Sequence, residues 1–175
     1  MPKFVLETER LRLRCFDEQD ADFILALLSD PGWQRFIGDR GVRSADDARE
    51  WITSRLIETY QRLGFGFWAV QRHGSDELLG LCGLVKRDSL PDVDVGYAFL
   101  PAHRGQGYAR EAVLACLQHG RDVLRLPRIL AITSPDNLAS QRVLEAVGMR
   151  LEDRRTLAGE ERETCVYAWG ADTLS

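Results

Sequence analysis

Arg104-Gly105-Gln106-Gly107-Tyr108-Ala109 places one guanidinium and two glycines where an extended apolar run, closed by Pro101, gives way to a helical pattern. A strand, a loop of bare backbone and a helix N-terminus in that order leave unpaired N–H groups and the positive end of a helix dipole aimed at one spot. That is the chemistry that holds a phosphate or pyrophosphate. Gly105 and Gly107 open turn conformations closed to other residues and present no Cβ to a ligand. Ala109 keeps the first helical turn approachable, and the Arg104 guanidinium can pair with phosphate oxygens. A phosphorylated cofactor is expected here; the alternative is a glycine-rich loop that binds nothing.

Two other phosphate loops do not fit. A Walker A loop needs Gly-Lys-Ser/Thr at its end, and none follows these glycines. A dinucleotide fingerprint needs a third glycine, where this chain has Arg110, and an acid about 20 residues on, where it reads Arg125-Leu126-Pro127-Arg128-Ile129-Leu130.

The elements around the loop follow from periodicity. Glu9 to Arg14 alternates strictly and reads as a first strand. Asp17 and Asp20 are N-cap candidates for a short helix through Phe23, Ile24, Leu27 and Leu28, ended by Pro31-Gly32. Ser44 with Asp47 resembles a capping box opening a helix with Trp51, Ile52, Leu56 and Tyr60 on its apolar side, stopping at Gly64. Residues 65–71 and 78–85 flank the turn His73-Gly74-Ser75-Asp76 as a hairpin. Asp92 to Leu100 is the strand before the loop, and the helix after it runs to about Leu124 with Ala112, Val113, Cys116 and Leu117 inward. A strand over Arg128 to Thr133, a helix from about Asn137 to Val147 capped by Gly148, and a last hairpin (149–157 and 162–169) complete the chain. Hairpins mixed with crossovers imply an α+β fold: one domain over 1–175, with a mixed, mostly antiparallel sheet of about seven strands flanked by about four helices.

Composition narrows the function. The net charge of −4 and pI near 5.4 argue against broad nucleic-acid binding. Glu7, Glu9, Arg10, Arg12 and Arg14 interrupt any signal-peptide pattern, and no apolar run has the length of a membrane span. Cys15, Cys82, Cys116 and Cys165 are scattered and read as thiols of a cytoplasmic protein, and His73, His103 and His119 are too far apart for a zinc site, so no metal is expected.

Order and motif together resemble the GNAT superfamily of acyl-CoA-dependent N-acyltransferases. Arg104 to Ala109 satisfies its Gln/Arg-x-x-Gly-x-Gly/Ala pyrophosphate motif between the expected strand and helix. Asn137-Leu138-Ala139-Ser140 with Val147-Gly148-Met149 is similar to its Asn-x-x-Ser helix and Gly-Phe turn, with Met for Phe. Leu6 to Arg14 and Asp94-Val95-Gly96-Tyr97 resemble the RimJ/RimL-type branch, which often has Glu in place of Asp94. The resemblance spans nearly the whole chain. It implies an acetyl-CoA-dependent N-acetyltransferase acting on a primary amine: a protein N-terminus, as in ribosomal-protein acetylation, or a small amine, amino acid or antibiotic. A non-catalytic acyl-CoA-binding module is the rival from another class. A homodimer is implied by family analogy alone.

The resemblance also implies site residues. The strand before the loop would splay from the parallel strand 128–133 to admit the pantetheine arm. Backbone groups of Val95, Tyr97 and Phe99 would then bond that arm, while their side chains pack as core. The pyrophosphate would rest on Arg104, Gly105, Gln106, Gly107, Tyr108 and Ala109. An amine must lose its proton before it attacks a thioester, so a base is needed. Asp94 is the first candidate, acting through water; the alternative is a structural acid. Asp92 is the reserve, on the same face by strand period. Many members carry a proton-donating Tyr seven residues after the helix Asn, where this chain has Leu144. Ser140 could donate to the sulfur instead, and Asn137 could meet the pantetheine amides; helix capping is the alternative for both. His103 adjoins the loop, where phosphate contact and plain exposure stand level, and His73 is expected to be solvated. Trp33, Phe36 and Trp68 could line an acceptor site unless they are core. Glu160, Glu161 and Glu163 could draw in a cationic amine or form a solvated charge run.

Overall fold

The computed structural model describes residues 4–36 and 40–170, and of 34–36 the backbone alone. The sheet is built from β1 (Phe4–Glu7), β2 (Leu11–Arg14), β3 (Phe67–Arg72), β4 (Leu78–Val85), β5 (Asp94–Phe99), β6 (Arg128–Thr133), β7 (Arg150–Thr156) and β8 (Glu163–Gly170), in the order 1-2-3-4-5-6-8-7. Neighbours are antiparallel except β5 and β6. The strand beyond the expected seven is β1. It is a non-alternating apolar run at the sheet edge that pairs only with β2, so it carries no period of two to read.

Asp17 caps a 3₁₀ turn over Glu18–Asp20 that leads into α1 (Ala21–Ser29). Pro31 does more than end α1. It opens α2 (Pro31–Phe36), because a missing N–H costs nothing at the first helical position. Ser44 accepts the Asp47 N–H at the start of α3 (Ala45–Trp51), while the Asp47 carboxylate accepts from Arg43 rather than from Ser44. The helix continues through a π-helical stretch, Ile52–Ile57, into α4 (Glu58–Leu63) and stops at Gly64 with φ of 80°.

The two helical layers clamp the sheet. Ile24, Leu27, Ile52 and Leu56 bury against Ala69 and Leu81 on one face. On the other, α5 (Tyr108–Asp122) seats Ala112, Val113, Cys116 and Leu117 against Trp68, Val70, Cys82 and Leu84, and α6 (Leu138–Ala146) adds Leu144. Each fully buried aliphatic side chain contributes about 1.5–3 kcal/mol. A buried bidentate pair, Arg14 to Asp20 at 2.9 Å for both bonds, fastens β2 to the 3₁₀ turn.

The feature that positions a site is the seam between β5 and β6. β4 and β5 pair over six residues, from Gly80↔Phe99 to Val85↔Asp94, and β6 pairs with β8 over six more. β5 and β6 register only at Asp94↔Leu130, beside the Leu130 N–H bond to the Val93 carbonyl at 2.9 Å. Each half-sheet keeps its own ladder while the seam opens toward the C-terminal ends of both strands. There the glycine loop leads into α5, and α6 begins beyond β6.

Candidate functional site

Gly105 and Gly107 have φ of 76° and 83°, the left-handed region that L side chains rarely adopt. Gly107 is the N-cap of α5 and brings no capping side chain, so the first-turn N–H groups face outward for a ligand. Arg104, Gly105, Gly107, Tyr108 and Ala109 line a cavity of about 1050 Å³ that extends into the open seam. Arg104 is already partnered: its Nη2 donates to Asp30 Oδ2 at 2.7 Å and its Nε to the Phe99 carbonyl at 3.0 Å. It therefore ties the loop to the corner between α1 and α2. Gln106 stands outside the cavity lining, its side-chain amide donating to the Ala102 carbonyl at 3.2 Å.

A second anchor was not read from the sequence. Arg10 Nη1 donates to the Gln106 carbonyl at 2.9 Å, and its guanidinium lies 4.6 Å from the Tyr108 ring centroid. Glu111, in the first turn of α5, accepts the Arg10 backbone N–H at 2.9 Å, the Arg10 Nε at 2.7 Å and the Thr8 hydroxyl. Burial raises the Glu111 carboxyl, but the Thr8 and Arg10 bonds outweigh it and hold the group below its ordinary value. The available signal was the Thr8-Glu9-Arg10 stretch, which carried the branch resemblance without any assigned role.

Inside the seam, Asp94 to Phe99, Asn137 and Ser140 all line the cavity. Alternation sends Val95, Tyr97 and Phe99 toward the α5–α6 face and Asp94, Gly96 and Ala98 toward the α1–α3 face. Asn137 caps α6, its Oδ1 accepting the Ser140 N–H at 3.2 Å. The Ser140 side chain lies close enough to the Tyr97 phenol across the seam to influence its ionisation. Burial pushes the Tyr97 phenol up and the nearby Ser140 hydroxyl pulls it partly back, so it is protonated at neutral pH. Leu144 contributes only alkyl surface.

Asp94 is 1% exposed and accepts Arg87 Nε and Nη2 at 2.9 and 3.0 Å. Burial raises its carboxyl, against the opposing pull of Arg87 and Lys86. Asp92 precedes β5, pairs with Arg128 at 3.2 Å and does not line the cavity. His73 is held rather than solvated: its Nε2 lies 2.8 Å from the Thr8 carbonyl because the hairpin turn packs on the β1–β2 connection. His103 lines the cavity beside the loop. Trp33 lines it too, whereas Trp68 is core, 1% exposed and packed on the His119 ring. The Phe36 side chain lies outside the described residues. Glu160 and Glu163 line the cavity, Glu161 does not, and Glu163 pairs with Arg154 at 2.8 Å.

A parallel pair that splays beside a glycine loop and a helix N-terminus, within an otherwise antiparallel sheet, defines an acyltransferase of the GNAT type. Residues 10–150 match the acetyltransferase (GNAT) domain family, and the chain belongs to it. The protein is an N-acetyltransferase. It is 33% identical over 170 residues to the uncharacterized protein YkkB of Bacillus subtilis (94% of this chain, 95% of the relative). It is 31% identical to the uncharacterized N-acetyltransferase YoaA of the same species over 149 residues (85% and 84%). An acetyltransferase (GNAT family) from Bacillus anthracis superposes with a TM-score of 0.80 at 28% identity, covering 97% of this chain and 99% of the other. The ribosomal L7/L12 α-N-protein acetyltransferase RimL, in complex with coenzyme A, shares the fold at TM-score 0.82 and 20% identity (98% and 99% covered). Among the described residues no helix is long and apolar enough to cross a membrane.

Proposed function

We propose that this N-acetyltransferase takes acetyl-CoA as donor and acetylates a primary amine in the seam between β5 and β6. The observation that carries the reading is the single register pair Asp94↔Leu130, set beside a loop whose two glycines take left-handed φ. The residues fit the donor: a nest of N–H groups with no Cβ for a pyrophosphate, and an open β5 edge whose Val95 to Phe99 backbone can bond amides. Acetyl-CoA supplies a thioester carbonyl open to an amine. The chain supplies the proton handling. Asp94 takes the ammonium proton directly or through water, its carboxyl made more basic by burial and held in orientation by Arg87. The Ser140 and Tyr97 hydroxyls stand on the α5–α6 side as proton donors toward the sulfur. That pair takes the place of the tyrosine absent at Leu144.

The experiment is mass-spectrometric detection of acetylated product after incubation with acetyl-CoA and a panel of N-terminal peptides and small amines. Product from one class establishes the acceptor. No product from any acceptor, with CoA bound in the same samples by native mass spectrometry, would overturn the assignment of the seam as the transfer site.

A further inference from the structure

The wall of the cavity opposite the seam is made by α2, α3, the π-helical stretch and α4, and its charge is opposite to that of the whole chain. Arg40, Arg55 and Arg62 line it in a protein of net charge −4. Arg62 is paired with Glu58 at 3.0 Å. Arg55 is exposed into the cavity without a carboxylate partner among the described residues, and the same holds for Arg40. Two guanidiniums facing one cavity with no counter-ion among the described residues favour an anion there.

Local geometry builds this wall. Trp51, Arg55, Thr59 and Arg62 all face the cavity. On a uniform α-helix, residues four apart drift about 40° per step around the axis. The step from Thr59 to Arg62 is three residues and turns back about 60°, which keeps the row on one face, and within it the Glu58 N–H bonds back five residues to the Thr53 carbonyl.

An independent feature points the same way. Trp33 lines the cavity at 6% exposure, and its indole Nε1 is buried with no hydrogen-bond partner among the described residues. A buried donor left unmade is costly, and a small turn of the ring that brings it to a ligand oxygen would relieve it. On the β7–β8 side the cavity carries Glu160, Arg162 and Glu163, the last paired with Arg154, and Asp94, paired with Arg87, stands at the closed end of the seam. The cavity also carries Lys86, Arg110, Arg142 and Arg162, so cations are not confined to this wall; what sets the wall apart is that Arg40 and Arg55 have no carboxylate partner among the described residues, whereas Asp94 and Glu163 are matched by Arg87 and Arg154.

We infer that the acceptor is an amine that also carries a carboxylate, an amino acid in the broad sense. Its amine enters the seam, where Asp94 takes its proton, and its carboxylate is held by the Arg55 and Arg40 guanidiniums and the Trp33 indole. The inference rests on the seam being the acetyl-transfer site.

The test uses acceptors matched in amine and differing in anion: a set of amino acids against their carboxamides, each with acetyl-CoA and the full chain, with initial rates read by mass spectrometry. A carboxamide has the more readily deprotonated α-amine, so amine basicity works against the expected result. The acids are expected to be preferred about tenfold or more in kcat/KM, the size of one charge-assisted contact. Arg55→Gln should raise KM for the acids about tenfold while CoA affinity by calorimetry stays as in the wild type. Trp33→Phe, which removes the indole N–H together with its five-membered ring, should raise KM severalfold for the acids but not for the carboxamides, which a purely structural effect of the lost ring would move equally. Equal use of acid and carboxamide, or an acid preference unchanged in Arg55→Gln, would overturn the inference while leaving the acetyl-transfer reading intact. Acetylation confined to peptides blocked at the carboxyl end would overturn it as well. No acetylation of any amine while CoA binds would instead remove the underlying reading, and the inference with it.

Discussion

Replacing Gly107 separates the conformation of the loop from its charge. At φ of 83°, an L side chain costs about 1–2 kcal/mol. A Cβ there would stand 3.2 Å from Arg10 Nη2, the far end of a half-exposed side chain that can give way, so the conformational cost dominates. Gly107→Ala then has two ways to express about 1–2 kcal/mol. If the loop keeps its shape, Tm falls by about 2–8 °C for a chain of this size. If the loop relaxes and is restored by ligand, CoA affinity falls by about 5–30-fold. Gly107→Glu adds an anion at the centre of the N–H nest, and CoA binding should be lost altogether. Calorimetric titration with CoA and thermal melts on the three proteins read both quantities. Wild-type Kd and Tm in Gly107→Ala would refute the conformational argument, and unchanged CoA affinity in Gly107→Glu would refute the pyrophosphate assignment.

Asp20→Ala strands the Arg14 guanidinium in the interior, where breaking a buried pair costs about 3–5 kcal/mol; urea denaturation showing a loss below about 1 kcal/mol would contradict this. Glu111 is held below its ordinary value near 4.5, so its stabilisation is fully present above that pH and is lost as pH falls through the lowered folded value. Glu111→Gln should therefore flatten the stability-against-pH curve below about pH 4.5, and an acid limb identical to that of the wild type would count against the anchor. Asp94→Asn should lower turnover by about 10²–10⁴-fold with CoA affinity little changed, and wild-type rates across pH would remove Asp94 as the base. If Ser140 and Tyr97 act as one relay, the double variant Ser140→Ala/Tyr97→Phe should be no slower than the slower single variant, whereas additive losses would mean separate roles.

Much of the site was legible because its parts are local. The left-handed φ of Gly105 and Gly107, the caps at Ser44, Asp17 and Asn137, and the strand–loop–helix order each depend on neighbours a few residues apart. The glycine loop and the alternation of β5 therefore followed from residue types and spacing alone. The direction of charged side chains did not. Arg104 is directed to Asp30, 74 residues away in sequence, and Arg10 reaches across 101 residues to Glu111. Local reading placed Asp94 correctly on β5 but could not supply Arg87 as its partner, since that pair closes only when β4 and β5 stack in register. Trp68 and Trp33 carry the same side chain and both are buried, yet only Trp33 reaches the cavity wall, because Trp68 points from β3 under α5 while Trp33 sits on α2 across the sheet. Spacing sets what a few consecutive residues can form. The single register pair at Asp94, the approach of Ser140 to Tyr97 and the cationic wall depend on how distant segments pack, and that is decided by burial across the whole sheet.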